Sequence, residues 1–502
     1  MNCYHLVEEV RLSRSLDAYR HGFDHAAPAF LFDGGGSSTL AQYTLFGAEP
    51  FLTFRATRAS TRNAAGRLGA RISVETNGER VESDVDDPFV VLRSLLAEHA
   101  APPSVLADCP LPLRAGAVGY VGYEVGQMLE RMPCTPRPSL GMPDMFFSFH
   151  AWVIGRCRRT ERTWLSVVGR GRNAAEGRRD AEHLRERVLA TLAACEREPL
   201  PASSRATSST EARNIDDLVT ASRAVPSVSR DTYLARVGEA RAHILRGNAF
   251  EICLTHAWQA PYAASAWDLF RELRKKNAAP FAAILDLPEG AIVSSSPERF
   301  VTLDAHRMAE SRPIKGTRPR SADPRQDDAL ATELASSEKD RAENAMIVDL
   351  VRNDFGRVCR FGTVTAPDLH RVERYATVHQ LVSTVRGELA PEHDALDLLR
   401  ACFPPGSMTG APKIEATSLL EGLEPTERGV YSGGLGYIDV SGTMDLSVVI
   451  RTVVVKSGTA HFSVGGAVVA DSIPESEYDE TMHKARALLE AIADTAAPKE
   501  PS

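Results

Sequence analysis

Apolar residues recur every three to four positions over residues 233–246 and stop at Gly247. That pattern predicts an amphipathic helix ended by a residue free to turn left-handed. Short runs rich in β-branched and aromatic residues at 281–287, 291–296 and 300–304 predict strands. Asp323-Pro324 opens a helical pattern that runs as one long helix towards Asn353, and its section Ala345-Met-Ile-Val348 is apolar on nearly all sides, so it is expected to be buried. Over 436–470, β-branched residues alternate around Ser-Gly pairs at 441–442 and 457–458, the signature of a β-meander. Residues 475–493 close the chain as a helix whose inward stripe is Tyr478, Ala485, Leu488 and Ile492, leaving Glu477, Glu480 and Lys484 at its edge.

The N-terminal third mixes short apolar runs with glycine punctuation at 34–38 and 116–126, then turns charged and helical over 173–198. Pro199-Leu-Pro-Ala-Ser-Ser204 and Thr207-Ser-Ser-Thr210 read as an exposed linker. The expected division is an N-terminal unit over 1–205 and a C-terminal unit over 226–495. No internal repeat is visible, and long helices mixed with antiparallel-looking strands indicate an α+β fold.

Composition narrows the function classes. The 502 residues are 43% hydrophobic and 25% charged, as in ordinary globular enzymes, and the net charge of -8 disfavours nucleic acid as a partner. The eight cysteines are scattered singly, with no CxxC pair to signal zinc or a disulfide framework. The first ten residues carry charges where a signal peptide would be apolar, and no stretch approaches the length of a membrane span. A reduced cytoplasm is the expected compartment.

Lysine is rare: Lys275, Lys276, Lys315, Lys339, Lys413, Lys456, Lys484 and Lys499 are the whole set. A lone loop lysine is most often a solvated charge, yet in Arg312-Pro-Ile-Lys315-Gly-Thr317 an arginine would serve that purpose equally well. Only an amine can lose its proton and attack carbon. Asp340 with Glu343, and Glu477 with Glu480, stand three apart on two helices, so each pair shares a helical face. Such acids commonly decorate a surface; without clustered His or Cys, four of them suit a hard cation, above all Mg²⁺. Val464-Gly-Gly-Ala467 after a strand, and Gly406-Ser-Met-Thr-Gly-Ala-Pro-Lys413 before a helix, offer backbone N–H groups to an anion. Arg451 lies in the apolar run Val448-Val-Ile-Arg-Thr-Val-Val454 and requires an anionic partner there. Glu298, between two expected strands, is a candidate general acid. His379 reads either as a hydrogen-bonded core residue or as a substrate contact. Together these residues suit a small dianionic substrate.

The stretch from about residue 231 to 493 resembles the chorismate-utilising enzymes. Its motifs are Ser296-Pro-Glu-Arg-Phe300, Pro313-Ile-Lys-Gly-Thr317, Lys339-Asp-Arg-Ala-Glu-Asn344, Ile347-Val-Asp-Leu350, Gly410-Ala-Pro-Lys413, Ile450-Arg-Thr452, Ala470-Asp-Ser472 and Glu477-Tyr-Asp-Glu480. The resemblance implies large antiparallel sheets packed as a sandwich with helices outside. It implies Mg²⁺ on Glu343 and Glu480, aided by Asp340 and Glu477. Gly316, Thr317, His379, Tyr437, Arg451, Gly465, Gly466 and Lys484 would line the substrate site.

Three positions sort the family's branches. Water-adding members carry a lysine base where this chain has Glu251; anthranilate synthases carry Ala where it has Lys315; Thr409 is typical of the aminodeoxychorismate branch. The resemblance therefore implies component I of an aminodeoxychorismate synthase, with Lys315 as nucleophile and Glu298 as acid. Apolar enclosure would lower the lysine's pKa and free its amine. Anthranilate synthase component I is the nearest rival, and a non-catalytic scaffold binding chorismate or a glutaminase is a more distant one. His256-Ala-Trp258 and Ala467 depart from the family pattern, and the Leu-Leu-Glu-Ser element of tryptophan-inhibited relatives is not evident. None of the cysteines is flanked by glycine as a glutaminase nucleophile would be, so ammonia is expected from a separate glutamine amidotransferase subunit or from solution.

Overall fold

A computed structural model of the chain describes residues 2–35, 40–76, 78–106, 108–198, 213–375 and 378–496; the expected linker at 199–210 and the end of the 34–38 glycine turn lie outside them. Two twelve-stranded sheets dominate, and every pairing between their strands is antiparallel. In the first, Ala29–Asp33 pairs with Phe281–Leu287, joining N-terminal strands to a run that passes through Thr452–Lys456, Thr459–Val468 and Glu251–Pro261 to the short edge strand Val225–Pro226. In the second, Gly116–Val121 pairs with Gly434–Asp439, which continues through Met444–Val448 and Arg299–Leu303 towards Val378–Glu388 and Ile314–Pro319. Both sheets are thus shared between the N-terminal and C-terminal stretches.

Alternation along the strands produces the layers. Ala283, Leu285, Ile292 and Val454 of the first sheet pack against Val118, Tyr120, Phe146 and Leu435 of the second, forming the dry interior of a sandwich. The opposite face of the first sheet, with Ile284, Val293 and Val453, is covered by the helices Ala174–Arg197, Ala266–Lys276 and Pro474–Ala496. The second sheet's outer face is covered by Pro88–Glu98, Glu338–Gly356 and Ala395–Cys402.

Most expected elements are present: the helix Arg230–Leu245 with Gly247 at φ +83° beyond it, and the strands Phe281–Leu287, Gly290–Ser296 and Arg299–Leu303. Three expectations are corrected. The long helix is two, Pro324–Ser336 and Glu338–Gly356, because Ser337 takes extended dihedrals and its side chain caps the second helix at the N–H of Asp340. In Ala345–Val348 only Ile347 and Val348 are buried, and Ala345 faces solvent. The meander is not one sheet: Gly434–Asp439 and Met444–Val448 belong to the second, Thr452–Lys456 and Thr459–Val468 to the first. The chain crosses between them at Val449–Arg451, so Arg451 stands in a crossover rather than inside a strand.

Candidate active site

Glu251 opens the strand Glu251–Pro261, and Lys315 lies in Ile314–Pro319 of the other sheet. Their side chains meet: Lys315 Nζ is 2.5 Å from Glu251 Oε1, with Glu251 fully buried and the lysine side chain 10% exposed. Lys315 is therefore in a strand, not a loop. The pairing register shifts between Ile314 and Thr317, a bulge whose residue Gly316 has φ +78°. A Cβ on Gly316 would come 2.7 Å from Asp340 Cγ, so only glycine lets this strand lie against the next helix.

Around the lysine the chain gathers carboxylates and cations. Burial raises the pKa of Glu298 to about 7, against the hydrogen bond of Ser407, the nearby charge of Lys315 and the N–H of Ile314. Burial also raises Glu343 to about 7, opposed by Lys315 and reinforced by Glu251. Glu480 is pulled below its ordinary range chiefly by Lys484, whose Nζ is 2.6 Å away. Glu477 accepts a hydrogen bond from the Ser472 hydroxyl at 2.7 Å. Lys339 Nζ stands 3.8 Å from Glu343 Oε1 and 3.9 Å from Glu477 Oε1. Lys484 also donates to the Gly465 carbonyl at 2.9 Å, and a Cβ on Gly466 would come 3.0 Å from Glu477 Oε2. These glycines lie within Thr459–Val468, paired with Leu254 and Thr255, rather than in a turn after it. Three of the chain's few lysines converge here.

Lys315 corrects one expectation. Burial alone would depress its pKa, but the negative charge of Glu251, with Glu343 behind it, outweighs burial and holds the amine above the ordinary lysine value. At rest it is an ammonium ion.

Arg451 takes φ +52° at the crossover, a left-handed conformation that costs a non-glycine residue on the order of 1 kcal/mol. Its guanidinium has no hydrogen bond or ion pair among the described residues; burial lowers its pKa, while the charges of Tyr431 and Glu480 oppose that shift. A half-buried cation without a bonded anion among the described residues is a receptor for one.

Other expected site residues are placed elsewhere. Asp340 accepts a hydrogen bond from Arg318 at 3.0 Å and serves the strand–helix contact at Gly316. His379 is fully buried with Nε2 2.9 Å from Asp327 Oδ1, the core arrangement, and Thr317 is exposed on its strand. Tyr437 lines a separate cavity of about 470 Å³ with Phe32, Phe281, Arg299 and Arg312. Sequence reasoning did not place Lys339 or Ser407 in the site, and it noted Glu251 only as standing where water-adding relatives carry their base lysine. A glutamate opening the apolar run Glu251-Ile-Cys-Leu needs a cation, and that was the further signal for its pairing with Lys315.

A hard cation fits this donor set: three glutamates converge, and Glu343 Oε1 is buried without a hydrogen-bond partner. Among the described residues no three such side chains form a finished ligand set; Lys339 stands between Glu343 and Glu477, and Lys484 is paired with Glu480.

The family described as chorismate binding enzyme matches residues 50–490. The chain belongs to the chorismate-binding enzyme family. It is 40% identical over 426 residues to the aminodeoxychorismate synthase of Streptomyces griseus, covering 85% of this chain but 56% of that protein. So the chain spans little more than half the length of that relative. It is equally 40% identical, over 407 residues, to anthranilate synthase component 1 of Streptomyces coelicolor, covering 81% of this chain and 77% of the relative. The crystal structure of anthranilate synthase component I from Streptococcus pneumoniae superposes with a TM-score of 0.71 at 28% identity, covering 90% and 93% of the two chains. Its fold is the sandwich described above. No helix among the described residues is long and apolar enough to cross a membrane.

Proposed function

We propose that this chain is component I of an aminodeoxychorismate synthase, converting chorismate and ammonia to 4-amino-4-deoxychorismate. The observation that carries the reading is Lys315, enclosed beside a carboxyl group whose pKa is pushed up to about 7. A lysine amine can be a nucleophile and a partly protonated Glu298 can be an acid, and the two are close enough for Lys315's charge to act on Glu298.

In this reading Glu343, Glu477 and Glu480 would hold Mg²⁺, which neutralises one substrate carboxylate; Asp340 is committed to Arg318 and stands behind them. Arg451 and Lys484 receive the remaining negative charge. The Lys315 amine attacks ring carbon 2, the double bonds shift, and the hydroxyl on carbon 4 leaves as water with the proton of Glu298. Ammonia then attacks carbon 4, the double bonds return, and Lys315 departs as an amine. The enolpyruvyl group stays attached throughout. The nitrogen comes from a separate glutamine amidotransferase subunit, in keeping with the word component in the names of the relatives, or from free ammonium.

The equal identity to an anthranilate synthase component keeps that activity as the second reading. Chromatography of the products from chorismate, ammonium and Mg²⁺ separates them. The proposal expects a 4-amino product that retains the enolpyruvyl group. An ortho-amino aromatic with released pyruvate assigns the chain to the rival, and undiminished 4-amino product from Lys315→Ala removes the covalent step.

A further inference from the structure

A nucleophilic Lys315 needs a proton acceptor, because Glu251, with Glu343 behind it, outweighs burial and leaves it charged at rest. Glu298 cannot be that acceptor, since the same step requires it to give a proton away. Glu343 makes no hydrogen bond or ion pair with Lys315 among the described residues. Glu251 does, at 2.5 Å. Its side chain is fully buried and Oε2 has no hydrogen-bond partner, so among the described residues the Lys315 amine is the polar group its carboxyl touches. A proton passed within this pair replaces two poorly solvated charges with none, so the transfer needs no solvent to take up either charge. No contact of Glu251 with the substrate is required.

Resting on the covalent reading above, we propose that Glu251 is the catalytic proton acceptor that converts the Lys315 ammonium into the attacking amine and returns the proton when the lysine leaves. The balance is closed. The Lys315 ammonium gives one proton to Glu251; the amine bonds to carbon 2 as the carbon 4–oxygen bond breaks, and Glu298 protonates the departing hydroxyl. Ammonia bonds to carbon 4 as the carbon 2–nitrogen bond breaks, releasing a neutral Lys315 that regains its proton from Glu251. Glu298 takes its proton back from the new ammonium on carbon 4. The net change is chorismate plus ammonia to the amino product plus water.

The test is intact-protein mass spectrometry of the full chain mixed with chorismate and Mg²⁺ without ammonium, at a series of pH values. The groups facing Lys315 whose ionisation enters such a profile are Glu251 and Cys253 on the strand Glu251–Pro261 of the other sheet, Glu343 on the helix Glu338–Gly356, Glu298, and Glu480 on the closing helix. Wild-type protein is expected to gain the mass of chorismate less one water at a rate that holds below about pH 7 and falls above it as Glu298 loses its proton. Glu251→Gln is expected to form the adduct about a hundredfold or more slowly at neutral pH, with a deficit relative to wild type that narrows as pH rises because solvent base must now remove the lysine proton. Glu251→Asp keeps a carboxylate and is expected to keep the wild-type profile at reduced rate. Adduct formation by Glu251→Gln at the wild-type rate, or a deficit that does not narrow with pH, overturns the proposal. Failure of the underlying reading looks different: wild-type protein makes the 4-amino product yet never carries the adduct.

Discussion

Burial disfavours the charged form of both Lys315 and Glu298, and the partner each has decides whether burial prevails. Lys315 has Glu251 in contact, which outweighs burial; Glu298 has Ser407 and a more distant lysine, which do not, so its carboxyl is pushed up to about 7. A folded-state pKa above the unfolded value means that the native protein binds this proton more tightly than the unfolded chain does. Stability from this group is therefore greatest at acidic pH and is lost as pH rises from the ordinary glutamate range through about 7. Glu298→Gln is expected to raise the melting temperature at pH 8 and change it little at pH 5, while lowering kcat about a hundredfold or more. Calorimetry at the two pH values with steady-state turnover checks both halves. An equal thermal shift at both pH values would remove Glu298 as a strained acid. Lys339 presents the complementary case, a cation between two carboxylates that a divalent ion would also seek. Lys339→Met is expected to tighten Mg²⁺ binding several-fold in isothermal titration, whereas weaker binding would make Lys339 an ally of the ion.

Elements bring these residues together through a few exact fits between backbone and side chain. The bulge at Gly316 lets Ile314–Pro319 settle on the helix that carries Glu343, with Asp340 and Arg318 closing the contact. Gly316→Ala adds a Cβ at positive φ and against Asp340; it is expected to destabilise by about 1–3 kcal/mol in chemical denaturation and to lose turnover disproportionately, since the strand bears Lys315. A loss of stability with turnover intact would mean that the strand's position does not matter to the chemistry. At this scale the sequence was legible where the period of the pattern decides the element. The closing helix and the strands at 281–303 are such cases. It was not legible where a non-local choice decides. Ser337 carried an N-cap signal, but a continuous helical period concealed it. The alternation over 436–470 specifies strands without specifying which sheet receives each one, so the crossover at Arg451 could not be read locally. Glu343, Glu477 and Glu480 were singled out by spacing and motif. Glu251 and Lys315 are 64 positions apart and joined only by the sandwich.

Across the whole molecule, each sheet is completed by strands from both ends of the chain. Phe281–Leu287 takes one of its neighbours from Ala29–Asp33, and Gly434–Asp439 takes one from Gly116–Val121. The sandwich interior likewise draws Phe30, Val118, Tyr120 and Phe146 from the first part and Leu285, Ile292, Leu435 and Val454 from the second. A fragment of residues 226–496 would keep every catalytic candidate yet expose two open strand edges and one wall of that interior. Unpaired edges flanked by apolar residues are templates for aggregation. The fragment is therefore expected to be aggregated or non-cooperative in thermal unfolding, and the same is expected of residues 1–205. Co-expression of the two should restore a soluble complex with adduct-forming activity, because strand pairing does not require the intervening peptide. Size-exclusion chromatography, calorimetry and the mass-spectrometric assay together read the result. A monomeric, cooperatively melting 226–496 fragment with full turnover would show that the shared sheets are an attachment rather than the frame that holds Glu251 against Lys315.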